Sequence, residues 1–258
     1  METTRSADGT TIAFDRAGQG PTLVIVGGAF SDRATPRAVA DTLASDFTVV
    51  CYDRRGRGGS GDTLPYATER EMEDLDAVIA ATGGEAFVYG HSSGAVLALE
   101  VAMRSEAIAG LTAYEPPYVV GDDRARTVDL GDRVTALLEA GRRDDAMETF
   151  FVEGPQAPAE VVAAMKPTPA WQEMAKLAHT LPYDLALVGD QVVPVDRLAT
   201  IGIPTLVLSG ADSPFWARNA VAAVAAAIPG ASEASLAGQT HAVSPDALVP
   251  VLREAFTR

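Results

Sequence analysis

Two stretches of this 258-residue chain alternate short apolar runs with helical patterns, and they flank a stretch that does not. Strand-like runs cover residues 11–14, 22–26, 47–52, 86–89 and 111–114 before the break, and 205–208 and 234–236 after it. Helices are expected over 35–44, 69–82 and 94–103, then from Ser213-Pro214 to about 228, and from about Ser244. Most of the strand-like runs are apolar throughout rather than alternating. A strand of that kind has to be covered on both faces, and helices in the connections supply the cover. The fold class is therefore α/β, a mostly parallel sheet with helices on both faces.

The rhythm stops between about 118 and 195. Leu130, Val134, Leu137 and Leu138 share one helical face, and Gly141 suits the stop after it. Met147, Phe150 and Phe151 suggest a second helix. Pro158 and Pro169 sit where helices begin, the latter behind a Thr168 cap, and Trp171, Met174, Leu177 and Ala178 form another apolar stripe. Both flanks supply strands to one sheet. The expectation is a single domain, with a core of 1–117 and 196–258 and a helical lid at 118–195.

Several functions are disfavoured before any motif is read. A formal charge of −15 argues against nucleic acid or an anionic membrane as a partner. Arg54, Arg55 and Arg57 form the one local cationic cluster and are read as a solvated or salt-bridged loop. The single cysteine, Cys51, lies in an apolar run and reads as a buried thiol, with no intramolecular disulfide available. The N-terminal METTRSADGTT lacks the layout of a signal peptide, and no run approaches the roughly 18 apolar residues of a membrane span. A soluble, cytoplasmic protein is expected. No His-x-x-x-His pair or dinucleotide fingerprint occurs, so neither a metal nor a cofactor is expected. The partner expected is a small-molecule substrate, and the oligomeric state is left open.

Gly90-His91-Ser92-Ser93-Gly94 follows a strand and opens an apolar helix. That is the setting of a G-x-S-x-G nucleophile elbow, in which a sharp turn exposes the serine at the carboxyl edge of the sheet. The glycines allow strand and helix to approach closely, and the Ser93 N–H points toward a developing oxyanion. A serine hydroxyl needs a base, and the chain has three histidines. His91 is the nucleophile's neighbour along the strand, so its side chain is expected to point elsewhere. His179 falls in the lid, and His241 follows the last strand.

With these motifs in this order, the chain resembles the α/β-hydrolase fold family over residues 10–258, which implies a mostly parallel sheet of about eight strands. The resemblance implies Ser92 as nucleophile and His241 as base. Val26-Gly27-Gly28-Ala29-Phe30 stands where that family usually has His-Gly, which implies the Ala29 N–H as second oxyanion donor and Phe30 as the alternate. Tyr52-Asp53-Arg54-Arg55-Gly56-Arg57-Gly58 is similar to a structural loop of the family. Two acids stay open. Asp212, in Gly210-Ala211-Asp212-Ser213, is one residue early for the family's usual Gly-x-x-Asp, while Glu115 follows a strand from which some members take their acid. The lid would contribute Phe150, Phe151, Trp171, His179 and Tyr183 to a pocket walled by Phe30, Phe215 and Trp216, with His91 close by. The reaction implied is hydrolysis of a small or medium ester or lactone. Non-hydrolytic chemistry on the same fold (C–C cleavage, cyclisation or perhydrolysis) and ligand binding without turnover are the alternatives.

Overall fold

The computed structural model of the chain describes residues 1–127 and 129–257. Its strands are β1 (Glu2–Arg5), β2 (Thr11–Ala17), β3 (Thr22–Val26), β4 (Thr48–Tyr52), β5 (Ala86–His91), β6 (Ile108–Tyr114), β7 (Thr205–Gly210) and β8 (Ser232–Leu236). They form one sheet in the order β1-β2-β4-β3-β5-β6-β7-β8. β2 runs antiparallel to both its neighbours, and every other pairing is parallel.

Side chains alternate across the sheet, and each face meets its own helices. Helices α1 (Arg37–Leu43), α2 (Thr68–Ala81) and α3 (Ser93–Ala102) come before the long connection from β6 to β7. That connection carries α4 (Leu130–Glu139), α5 (Arg143–Glu153), α6 (Ala159–Met165), α7 (Pro169–Leu177), α8 (Leu181–Val188) and α9 (Val195–Leu198). Helices α10 (Phe215–Ala227) and α11 (Pro245–Phe256) follow β7 and β8. Val24, Val26, Val88 and Ala113 pack toward α2, α3 and α10, while Leu23, Ile25 and Val49 pack toward α1 and α11.

The connection between β6 and β7 has its own small core of Leu130, Val134, Met147, Val162, Trp171 and Leu181, which meets the sheet domain at Ala29 and Phe30. Thr168 caps α7 by accepting from the Trp171 N–H, and Gly141 has the positive φ of a residue just past a helix end. No helix of the described residues is long and apolar enough to cross a membrane. Cys51 is buried, and burial pushes its thiol up to about 12, which leaves it an inert core group.

Elements that go beyond the sequence expectation include β1 and α8. β1 is an extra strand on the sheet's edge; its residues are polar and mostly exposed, so no apolar pattern announces it. α8 is apolar around most of its circumference and therefore shows no stripe. Of the two readings of the Arg54, Arg55 and Arg57 cluster, the salt-bridged one holds and the solvated one does not. Each is almost fully buried, where an unpaired charge is costly, and each has carboxylate partners. Arg55 pairs with Asp74 and Asp8, and Arg54 makes a two-pronged pair with Glu71.

Candidate active site

β5 ends at His91 and α3 begins at Ser93, so Ser92 alone makes the turn between them, with φ 57° and ψ −123°. Few residues other than glycine adopt such a backbone, and the surrounding bonds hold it in place. The Ser92 N–H donates to the Tyr114 carbonyl at 2.9 Å, and its own carbonyl accepts from Ala95 at 2.9 Å. Close approach explains the glycines nearby. A Cβ on Gly94 would lie 2.3 Å from the Val26 carbonyl oxygen, and one on Gly28 would lie 2.9 Å from the Ser92 Cβ. The turn after β3 therefore rests against the serine.

β5 and β6 are paired in register, His91 opposite Tyr114, which sets Ser92 beside Glu115 one residue further on. Glu115 is buried, and its Oε2 lies 2.7 Å from His241 Nδ1. Its Oε1 accepts from the Gly210 N–H at 2.8 Å and from the Ser213 hydroxyl at 2.5 Å. Burial alone would raise this carboxyl; the bonds from His241, Ser213 and Gly210 outweigh it and hold the carboxyl below its ordinary range. A carboxylate that accepts the Nδ1–H leaves Nε2 with the lone pair, the form a base needs. The loop bearing His241 is held by a 2.6 Å bond from the Tyr114 hydroxyl to the Thr240 carbonyl.

Of the two acid candidates, the structure brings Glu115 to His241 and leaves Asp212 apart. Asp212 is exposed, and it is its backbone N–H that engages the His241 loop, through the Gln239 carbonyl at 2.9 Å. Ser213 does not cap α10 as its position before Pro214 suggests; its hydroxyl turns inward to Glu115. Nothing but the one-residue displacement of Asp212 hints at this in the sequence.

The side chain of His91 lies beside that of His241. Its ring stacks on Tyr114 with centroids 5.1 Å apart and lies 4.8 Å from the ring of His241. The Tyr89 hydroxyl sits 3.2 Å from its Nδ1. Burial, with the nearby His241 charge adding to it, pushes the His91 imidazole down to about 3. A histidine lowered in the folded state is protonated first in the unfolded chain, so stability is full above about pH 6.5 and declines as pH falls toward 3. His91→Phe, which keeps the stacking on Tyr114, is expected to flatten that part of the profile. Chemical denaturation midpoints from pH 7 to 4 provide the check, and equal slopes in both proteins would refute it.

The turn after β3 is built around Ala29 and Phe30. Ser31 N–H bonds the Gly28 carbonyl at 3.3 Å, which closes the turn, and Phe30 has a φ of 58°. The Phe30 ring stacks on Phe151 at 5.2 Å and meets Phe150 edge-on at 5.5 Å. Those three rings are thus brought together beside Ala29. The remaining aromatic candidates are engaged elsewhere. Trp171 is enclosed in the insertion's core and donates Nε1–H to Asp144, and Phe215 is exposed. Trp216 lies under the guanidinium of Arg124 at 4.2 Å. His179 Nε2 is 2.7 Å from the Gly56 carbonyl, while Tyr183 stacks on Tyr66 and donates to Asp62. Both tie the insertion to the loop after β4 instead of facing Ser92, because that loop offers them polar partners.

Sequence reasoning also passed over Asp184, a buried carboxylate of α8 that meets Arg54, Arg57 and Ser93. A lone acid in the run Leu181-Pro182-Tyr183-Asp184-Leu185-Ala186-Leu187 was the available signal, since such residues are buried only when paired.

The sequence pattern of the Alpha/beta hydrolase family matches residues 23–251. The chain is similar to an alpha/beta hydrolase from Sphaerobacter thermophilus DSM 20745 whose crystal structure is known. The two share 52% identity and a TM-score of 0.96, with 99% of this chain and 100% of that one covered. An uncharacterized hydrolase of Bacillus subtilis is 34% identical over 118 residues, 44% of either chain. N-formylmaleamate deformylase of Pseudomonas putida is 32% identical over 139 residues, 52% of either chain. The chain thus matches about half the length of these two curated relatives.

Proposed function

Since this chain belongs to the alpha/beta hydrolase family, we propose that it is a serine hydrolase cleaving a small or medium carboxylic ester or lactone through an acyl-enzyme. Ser92 is the nucleophile, His241 the base and Glu115 the acid that orients it. The observation that carries this reading is the bond from His241 to a buried, three-times-bonded Glu115, set one strand away from a serine in a strained turn. Relatives and neighbours named as hydrolases or as a deformylase support acyl transfer to water.

In this mechanism His241 Nε2 takes the Ser92 proton as Oγ attacks the carbonyl carbon. The N–H groups of Ala29 and Ser93 receive the developing oxyanion. The imidazolium, steadied by Glu115, returns the proton to the departing alkoxide, and water then repeats the sequence on the acyl-enzyme. The insertion acts as a lid, and Phe30, Phe150 and Phe151 give the acyl group an apolar wall. The substrate is a small molecule met in the cytoplasm, and no cofactor takes part.

Intact-protein mass after exposure to a small fluorophosphonate tests the reading. One adduct is expected on the wild type and none on Ser92→Ala, followed by turnover of members of an ester and lactone panel. A wild type that takes no adduct would overturn the assignment of Ser92 and favour ligand binding without turnover.

A further inference from the structure

The insertion does more than cover the site. Asp184 of α8 is fully buried, yet it belongs to neither the nucleophile, the base nor the acid. Its Oδ1 accepts from the Ser93 hydroxyl at 2.6 Å and from Arg54 at 2.7 Å, and its Oδ2 accepts from Arg57 at 2.8 Å. Burial opposes its charge, but Arg57, Arg54 and Ser93 more than offset that and keep it an anion.

The two arginines reach past Asp184 to the turn after β3. Arg57 donates to the Gly28 carbonyl at 2.6 Å and to the Ser31 carbonyl at 3.1 Å. These are the first and last residues of the turn that contains Ala29 and Phe30. Arg54 donates to the Gly27 carbonyl at 3.3 Å and to Ser93 Oγ at 3.2 Å. Arg57 holds both carbonyls through Nη1 and Asp184 through Nη2, so its planar fork joins the turn to the carboxylate in a way a single ammonium nitrogen cannot. Phe30 sits at positive φ with a full side chain, so the turn needs an outside hold to keep that shape.

We propose that Asp184 is a positioning residue: by fixing Arg57 and Arg54 it sets the turn carrying the Ala29 N–H, and by binding Ser93 it sets the second donor. The inference rests on the reading of Ser92, Ala29 and Ser93 given above. It makes the docking of α8 a condition for a formed oxyanion site. His179 on Gly56, and Tyr183 on Tyr66 and Asp62, fasten the stretch that leads into Asp184. In this arrangement α8 is a fixed part of the active site, and whatever opens for substrate lies elsewhere in the insertion.

Asp184→Asn is the test. The amide turns a donor toward an arginine and releases part of the hold on the turn. Because the donors are displaced and not deleted, kcat is expected to fall by about 10- to 100-fold, somewhat less than loss of a whole donor. KM is expected to stay within about threefold, because a ground-state carbonyl makes little use of these donors. Affinity for a trifluoromethyl ketone analogue, which forms a tetrahedral oxyanion on Ser92, should fall in step with kcat/KM. Affinity for the matching methyl ketone should not.

A folded Asp184→Asn with wild-type kcat, or one whose loss of kcat leaves trifluoromethyl ketone affinity untouched, overturns the proposal. Should Asp184→Asn fail to fold, Arg57→Lys takes its place. It keeps a cation in place, but one ammonium nitrogen cannot occupy both the Nη1 position at the Gly28 and Ser31 carbonyls and the Nη2 position at Asp184, so the same paired losses are expected, and wild-type behaviour overturns the proposal equally. Failure of the underlying reading looks different: the wild type itself would then take no fluorophosphonate.

Discussion

Ser92→Ala is expected to fold normally and to lose about six orders of magnitude in kcat/KM toward any ester the wild type hydrolyses. Folding should survive because the Ser92 side chain makes no capping bond, and the turn is held through the backbone by Tyr114 and Ala95. Alanine tolerates the same strained φ no worse than serine does. Initial rates on activated esters, beside thermal melts of both proteins, give the comparison. A variant with the wild-type melting temperature and activity within tenfold of the wild type would mean that another group attacks the substrate.

The second large effect separates Glu115 from Asp212. Glu115→Gln is expected to reduce kcat by about 10⁴-fold, because a glutamine amide facing Nδ1 favours the tautomer with its proton on Nε2. Oε1 of that glutamine can still accept from Gly210 and Ser213, so the loss should come with little change in fold. Asp212→Asn should stay within about twofold of wild type, as expected of an exposed change away from the named mechanisms of damage. Parallel kcat measurements decide the matter. A severe loss in Asp212→Asn with a mild one in Glu115→Gln would reverse the assignment.

Much of the architecture is legible because buried parallel strands leave continuous apolar runs, as residues 22–26, 48–52 and 205–208 do. The elbow is legible because its turn demands small residues at fixed spacing, and Gly94 against Val26 shows why. What the sequence hides depends on distances between elements. β1 carries no apolar signal, since an edge strand with both faces exposed needs none. Glu115 and Asp212 look equivalent along the chain because each follows a strand end. Only the reach of His241 distinguishes them: its Nδ1 meets Glu115, and the serine at 213 becomes a donor to that same carboxylate. The aromatic candidates were identified by type, and type does not reveal direction. Phe150 and Phe151 meet Phe30, whereas Trp171 turns into its own core.

The seat of Glu115 at the end of β6 has a consequence for how such a chain can vary. In the role proposed for it, Glu115 is the last residue before the long excursion to β7, so that excursion is spliced directly onto a group that has to keep its place. Pro116 and Pro117 stand at that splice, with φ fixed by their rings, and Pro117 is gripped by Arg124 through its carbonyl. Together they work like the strain relief on a cable. Insertions, deletions or exchange of helices farther along can tug on the proline pair without the tug reaching the carboxylate. On the proposed reading the end of β7 and the loop after it supply no charge, only the Gly210 N–H and the Ser213 hydroxyl, and the residues around those two are free to drift in composition.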